Sequence, residues 1–406
     1  MYDLTKDYQL TSLISTFLQN RRFQVSLQGK RSRWRIQKNG LPQGSVLAPA
    51  LYNIYTNDQP IPVSTRLFIY ADDTAVAAQG SSLEEVEGKL TSAMDVLSKY
   101  YDANHLKPNP SKTQVCAFHL RNREAQRQLD IIWRGERLKH CPTPVYLGVT
   151  LDRALTYRQQ CLNTKQKVIA CNGIIKKLTS STWGASPHIL RTSALALCVS
   201  AAEYAAPVWY TSVHAKQVDT AVNDTARIIS GCMKPTPVQK LYPIVGIAPP
   251  NIRRATAADI KRTKQENDHR HPLFGHQAAR SRLRSRKSFL ASTSPLDGTP
   301  ETTRLNKWRT LLPSDMSPKE ELAPGADLPY PVWRSLNRLR VGVPRCKTNL
   351  KKWGILPANA DTSCECGAEQ DPSHLLTCPL LDNPCTTQDV TRGSDKAIAA
   401  AVFWKC

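Results

Sequence analysis

Acidic residues are in short supply in this chain. Its 406 residues carry 33 Asp and Glu against 55 Lys and Arg, a formal net charge of +22. That imbalance argues for a polyanionic partner, of which nucleic acid is the simplest. An anionic membrane surface would also answer the charge, but no amphipathic lysine-rich anchor stands out. Long apolar runs are missing too. The most apolar stretch, residues 194–209, is interrupted by Glu203 and Pro207 and is too short to span a bilayer. Residues 1–6 carry no signal-peptide pattern. The twelve cysteines form no compact framework. Reduced thiols with one metal cluster are therefore expected, in an intracellular protein of nucleus or cytoplasm that is not secreted. Hydrophobic content of 41% gives no sign of global disorder. The length exceeds one ordinary core, so two or three domains are expected.

What the chain does contain centres on Phe68-Ile69-Tyr70-Ala71-Asp72-Asp73-Thr74-Ala75-Val76. Two short apolar runs flanking two acids read as a β-hairpin with the aspartates at its tip. Adjacent carboxylates repel, and a divalent cation removes that cost, because Mg²⁺ takes one or two carboxylates plus substrate phosphates. The dipeptide alone fits a solvated turn better than a metal site. Upstream, Asn39-Gly40-Leu41-Pro42-Gln43-Gly44-Ser45 leads into Ala50-Leu51-Tyr52-Asn53-Ile54-Tyr55, a glycine-punctuated turn feeding a helix. Gly44 allows close backbone approach to a ligand, and a helix N-terminus offers free N–H groups to phosphate. Downstream comes Leu106-Lys107-Pro108-Asn109-Pro110-Ser111-Lys112-Thr113.

The remaining segments read mostly as scaffold. Leu10, Leu13, Ile14, Phe17 and Leu18 lie at helical spacing, most simply a packing helix. Residues 22–27 and 32–37 read as strands joined by Gln28-Gly29-Lys30-Arg31, with basic outward positions that suit a phosphate backbone or an ordinary solvated hairpin alike. Residues 82–105 form an amphipathic helix with a capping-box pattern at Ser82 and Glu85 and a buried stripe at Leu83, Val86, Leu90, Met94, Leu97 and Tyr101. Residues 155–268 read as mostly helical. Residues 251–290 hold eleven Lys or Arg against three Asp or Glu, ending in the basic run 280–287. That run suits a salt-dependent contact with nucleic acid, and equally a solvated tail or an import signal. Residues 291–331 are Ser-, Thr- and Pro-rich and read as a linker. In the last segment Cys364, Cys366, His374 and Cys378 make a C-x-C-x7-H-x3-C array. Three thiolates and one imidazole meet the tetrahedral demand of a structural Zn²⁺, with Cys385 as a substitute ligand.

The blocks at 39–55, 67–78 and 106–113, in this order and spacing, resemble the reverse transcriptase palm of non-LTR (LINE-type) retrotransposons, the jockey and chicken-repeat lineages in particular. A fourth block, Tyr146-Leu147-Gly148-Val149-Thr150-Leu151-Asp152, extends the likeness. The resemblance implies an RNA-directed DNA polymerase that joins a primer 3′-hydroxyl to a nucleotide α-phosphate through two metal ions. Its partners would be an RNA template, a DNA primer and deoxynucleotides, with no membrane. Asp72 and Asp73 would ligate Mg²⁺ or Mn²⁺ and serve catalysis. Gln43, Gly44 and Tyr70 would face template and incoming nucleotide. Lys112 would lie near the phosphates and protonate the leaving pyrophosphate, while Tyr146, Leu147 and Gly148 would grip the primer. The zinc array looks like the Cys-Cys-His-Cys segment found downstream of the polymerase in such elements.

The family takes a further aspartate from a strand that precedes the Pro-Gln-Gly block. Such a block would fall upstream of residue 1, and Asp3 and Asp7 lack the flanking apolar strand. An N-terminally truncated, inactive polymerase is therefore expected. The alternative is a non-catalytic nucleic-acid-binding remnant that uses the basic thumb and the zinc unit. The expected fold is α+β. It comprises a partial palm with a small antiparallel sheet packed on helices (1–152), a helical thumb-like region (153–279), a basic segment and flexible linker (280–330), and a zinc unit (331–406).

Overall fold

Ser82 begins the longest helix by accepting a hydrogen bond from the Glu85 N–H at 3.2 Å. In the computed structural model, which describes residues 2–42, 44–180, 183–278, 288–313 and 317–405, that helix runs Leu83–Ala103. Its expected stripe is the one that packs. Met94 and Leu97 are buried with Val115, Ala117, Leu129, Ile131, Trp133 and Leu138, and Leu83, Val86, Leu90 and Tyr101 lie against them. The capping box closes one residue early, because the Glu85 carboxylate accepts from the N–H and hydroxyl of Ser81 at 2.7 and 2.9 Å. Lys89, which donates to Glu85 at 2.6 Å, is the main cause holding that exposed carboxyl at about 2.

Two compact units divide the chain, Met1–Pro144 and Val145–Cys406. In the first, the aspartate hairpin pairs Thr65–Tyr70 with Asp73–Ala78, and the cross-strand pair Leu67 and Val76 reaches the core. The expected small sheet is instead a set of separate two-stranded pairs among the described residues. Five are antiparallel; Gln114–Val115 runs parallel to Lys139–His140. Apart from the hairpin, each of these strands has only two residues, too few to template a neighbour. The expected helix at 8–20 forms as Tyr8–Leu18, with Asp7 accepting from the Leu10 N–H at 3.0 Å, yet it buries no residue. Of the described residues before Ala93, only Thr56 and Pro62 are buried.

The second unit is helical, as expected between residues 155 and 268, and it has a large core around Trp209, Trp308 and Trp333. The stretch read as a linker contributes to that core. Thr299 caps helix Pro300–Arg309 by accepting from the Thr302 N–H, and Trp308 on that helix is buried. Glu320 takes both arms of Arg304 at 2.7 Å, and the Ala323 N–H donates to the Ile244 carbonyl at 3.0 Å. The basic run at 280–287 lies outside the described residues.

Helix Tyr330–Arg340 is the seam of this unit. A helix C-terminus leaves its last carbonyls without intrahelical donors. Here Tyr330, Trp333, Asn337 and Arg338 donate in turn to the carbonyls of Ile228, Ile229, Ser230 and Gly231, at 2.8 to 3.0 Å. Leu336 and Leu339 of the same helix join the separate cluster of Cys346, Cys364, Leu375 and Cys378. No helix among the described residues is long and apolar enough to cross a membrane.

Candidate active site and metal centre

The aspartates sit where alternation placed them. Tyr70 pairs with Asp73, leaving Ala71 and Asp72 as a two-residue turn. Ala71 takes φ +50°, a left-handed conformation that costs a non-glycine residue about 1–2 kcal/mol. Strain of this kind persists where the surroundings fix it, often at functional sites. Both aspartates are exposed, and no hydrogen bond or ion pair engages either side chain among the described residues. Tyr70, on the adjoining strand, is 66% exposed.

The Pro-Gln-Gly block precedes this hairpin in the same compact unit. Its turn closes through Ser45 N–H to Pro42 carbonyl at 3.2 Å and feeds helix Ala48–Tyr55. Gly44 adopts φ +85° with open space where a Cβ would stand, so its freedom is used by the turn and its outer face is clear. Gln43 lies outside the described residues. The helix is pinned at its far end: Tyr55 donates to the Asn104 carbonyl at 2.5 Å, and Tyr100 donates to Asp58 at 2.9 Å. Burial and then the Asp72 carboxylate push the Tyr52 phenol above its ordinary pKa. Sequence reasoning passes over Tyr52, for a tyrosine on an amphipathic helix carries no local mark of such a neighbour.

Lys112 ends a single helical turn, Pro110–Lys112, folded by Asn109, whose side chain accepts from the Lys112 N–H at 3.2 Å and from Ser111 at 2.7 Å. No hydrogen bond or ion pair among the described residues links Lys112 to either aspartate. Tyr146, Leu147 and Gly148 belong to the second unit, at the turn of the hairpin Val145–Tyr146 with Val149–Thr150. Asp152, the last residue of that block, is a staple. Its carboxylate accepts from the N–H groups of Thr156 and Tyr157 at 2.8 and 2.6 Å and so sets the entry to helix Arg158–Lys176.

The four array residues do converge. The ligand atoms of Cys364, Cys366, His374 and Cys378 lie within 4.8 Å of one another. Sulfur separations of 3.9 Å for Cys364 to Cys378 and for Cys366 to Cys378 match the roughly 3.8 Å that tetrahedral Zn–S bonds of about 2.3 Å would impose. Gly367, at φ +88°, turns the chain between the first pair and the strand-like bridge of Ser363 with Glu369. Asp371 accepts from the His374 N–H at 2.7 Å and starts the short helix that carries the imidazole. Donor set and spacing fit Zn²⁺. Cys385 is buried in the same apolar cluster but outside this group of four.

Residues 3–151 match the family profile described as Reverse transcriptase (RNA-dependent DNA polymerase). The relatives narrow it. The chain is 30% identical over 203 residues to the RNA-directed DNA polymerase from mobile element jockey of Drosophila melanogaster, covering 47% of this chain and 22% of that protein. It is 27% identical over 232 residues to the probable RNA-directed DNA polymerase from transposon X-element of the same fly, covering 54% and 25%. To the Pol polyprotein of the type-1 retrotransposable element R1 of Nasonia vitripennis it is 24% identical over 195 residues, covering 46% and 58%. The N-terminal segment is therefore a reverse transcriptase domain of the LINE type, from the non-LTR retrotransposons. The chain spans under a quarter of the length of the jockey polymerase it matches. No solved structure matches.

Proposed function

We propose that this chain is the primer-proximal part of an RNA-directed DNA polymerase whose reaction centre forms on the Asp72–Asp73 tip. The observation that carries the reading is two adjacent, exposed carboxylates at a strained hairpin turn, with no hydrogen bond or ion pair to either side chain among the described residues. When bound, Mg²⁺ or Mn²⁺ would lower the pKa of the primer 3′-hydroxyl and offset charge on the leaving pyrophosphate. The protein's part is to aim oxygen donors: Asp72 and Asp73 supply two carboxylates, which suits a hard cation that completes its shell with substrate phosphates. In this reading Gln43, Gly44 and Tyr70 line the template and nucleotide side. Lys112 serves as proton donor to pyrophosphate, the turn at Tyr146–Gly148 meets the primer, and helices 158–267 act as a thumb.

Among the described residues no third carboxylate joins the pair in a metal-sized group. We therefore infer that these 406 residues alone turn over very slowly or not at all, and that binding of an RNA template with a DNA primer persists. The net charge of +22 favours that second, binding role. Cys364, Cys366, His374 and Cys378 would hold a structural Zn²⁺ with no open position. The decisive experiment is primer extension on RNA by a longer protein in which a segment bearing the third aspartate precedes residue 1. Extension should appear, and Asp72→Asn or Asp73→Asn should reduce it by roughly a thousandfold or more without loss of primer–template binding. A longer, folded protein that incorporates no nucleotide would refute the polymerase reading.

A further inference from the structure

We propose that Tyr204 is a positioning residue for the Leu147–Gly148 turn and, through it, for the primer strand; the inference rests on the reading of that turn as primer-facing. The two-residue connection between Val145–Tyr146 and Val149–Thr150 has φ +46° at Leu147 and φ +74° at Gly148. A hairpin turn with both central residues left-handed ordinarily begins with Asn, Asp or Gly. Glycine meets the demand at the second position, but leucine resists it at the first. Something must hold the turn, and a residue 57 positions away does so. The Tyr204 hydroxyl donates to the Leu147 carbonyl at 2.7 Å. Its ring lies over Gly148, where an added Cβ would stand 3.2 Å from the hydroxyl oxygen and 3.3 Å from a ring carbon.

Tyr204 is itself held through its carbonyl and its chain neighbours. Its carbonyl accepts from the indole of the fully buried Trp209 at 3.1 Å. The preceding Glu203 is paired with Arg253, and the following Ala205 is locked at φ +50°. The helix that delivers it contains a π turn at Leu195–Val199, a feature that re-aims the residues after it and is frequent at functional sites. Yet the residue remains 54% exposed. Here a rigid body presents an anchored ring and a constrained turn outward together, the arrangement needed to set the path of a strand that meets the turn.

The test compares binding of the full chain to two duplexes of equal length, one an RNA template with a recessed DNA primer end and one blunt. Tyr204→Phe keeps the ring and removes the donor; Gly148→Ala drives a methyl toward the ring. Tyr204→Phe should weaken recessed-end binding about five- to tenfold, the worth of one hydrogen bond, with blunt-duplex binding unchanged, and Gly148→Ala should weaken recessed-end binding in the same direction. Hydrogen exchange of residues 145–150 should quicken in Tyr204→Phe. If that exchange quickens while the preference for the recessed end is intact, Tyr204 is a structural cap and the inference is wrong. If the unaltered chain binds both duplexes alike, the primer-facing reading of the turn fails first, and the inference with it.

Discussion

The segment ahead of Ala93 and the helical unit were built under opposite constraints. From Tyr2 to Ser92 the described residues hold the Pro-Gln-Gly turn and the paired aspartates, yet they bury only Thr56 and Pro62 and leave Leu13, Val46, Ile61 and Val63 in the open. The unit Val145–Cys406 buries three tryptophans and ties its helices by side chains that reach across 102 and 104 residues of chain. The metal chemistry proposed for the hairpin tip would need open donors and a backbone that substrates can approach, and both are lost on burial. Most of the helical unit is free of that demand, and its hydrophobic and hydrogen-bonding groups are largely spent on one another. Motif density and cohesion thus fall in different places.

The sharpest way to break that contrast is Trp333→Ala. The indole is fully buried and donates to Ile229, so its loss opens a cavity and orphans a helix-end carbonyl. A cost of about 3–5 kcal/mol is expected, read as a lowered midpoint in denaturant for the helical unit. The second largest effect should come from metal. The seam helix shares a core with Cys364 and Cys378, so chelation, or Cys378→Ser, should lower the melting temperature of the helical unit as well as the array, by roughly 5–10 °C. A transition of the helices indifferent to chelator would mean that the seam transmits nothing.

Acid offers a finer test. Burial raises the Glu320 pKa, but Arg304, Arg253 and Arg191 outweigh it and hold that carboxyl below its usual value. A depressed folded-state pKa gives stability that is present above the unfolded value and lost as pH falls through the folded one. The helical unit should therefore weaken as pH drops below about 4.3, the ordinary glutamate value, and Glu320→Gln should flatten that slope. An unchanged slope in Glu320→Gln, followed by circular dichroism, would remove the bridge from the account.

Local chemistry explains which features could be read before the coordinates. Alternation marks the strands around Asp72, Ser82 announces a helix start, and ligand types at fixed spacing announce the metal array, because each signal is confined to a short stretch of chain. The Glu85 arm slipped to Ser81 because two adjacent serines offer equivalent donors. Residues 291–331 read as a linker since Ser, Thr and Pro serve caps and loops alike; the Thr299 cap belongs to the first use, on a helix that buries Trp308. Long-range pairs left no trace at all. Nothing near Leu147 points to Tyr204, and nothing near Ile229 points to Trp333. The antiparallel palm sheet was likewise an inference from likeness, and separate strand pairs stand in its place.

The smallest predicted effect sharpens the comparison most. Periodicity correctly located the apolar stripe of helix Tyr8–Leu18, but periodicity says which face is apolar and not whether anything covers it. Leu13 is 66% exposed, so Leu13→Ser should change the stability of the full chain by no more than about 0.5 kcal/mol. Leu97→Ala, in the core of the same unit, should cost about 2–5 kcal/mol. Measured side by side in urea, equal losses would mean that Leu13 is covered in solution and the open face is closed. A several-fold disparity would show that the motif-bearing end folds on the Leu83–Ala103 helix alone, with the apolar stripe of Tyr8–Leu18 contributing nothing to that stability.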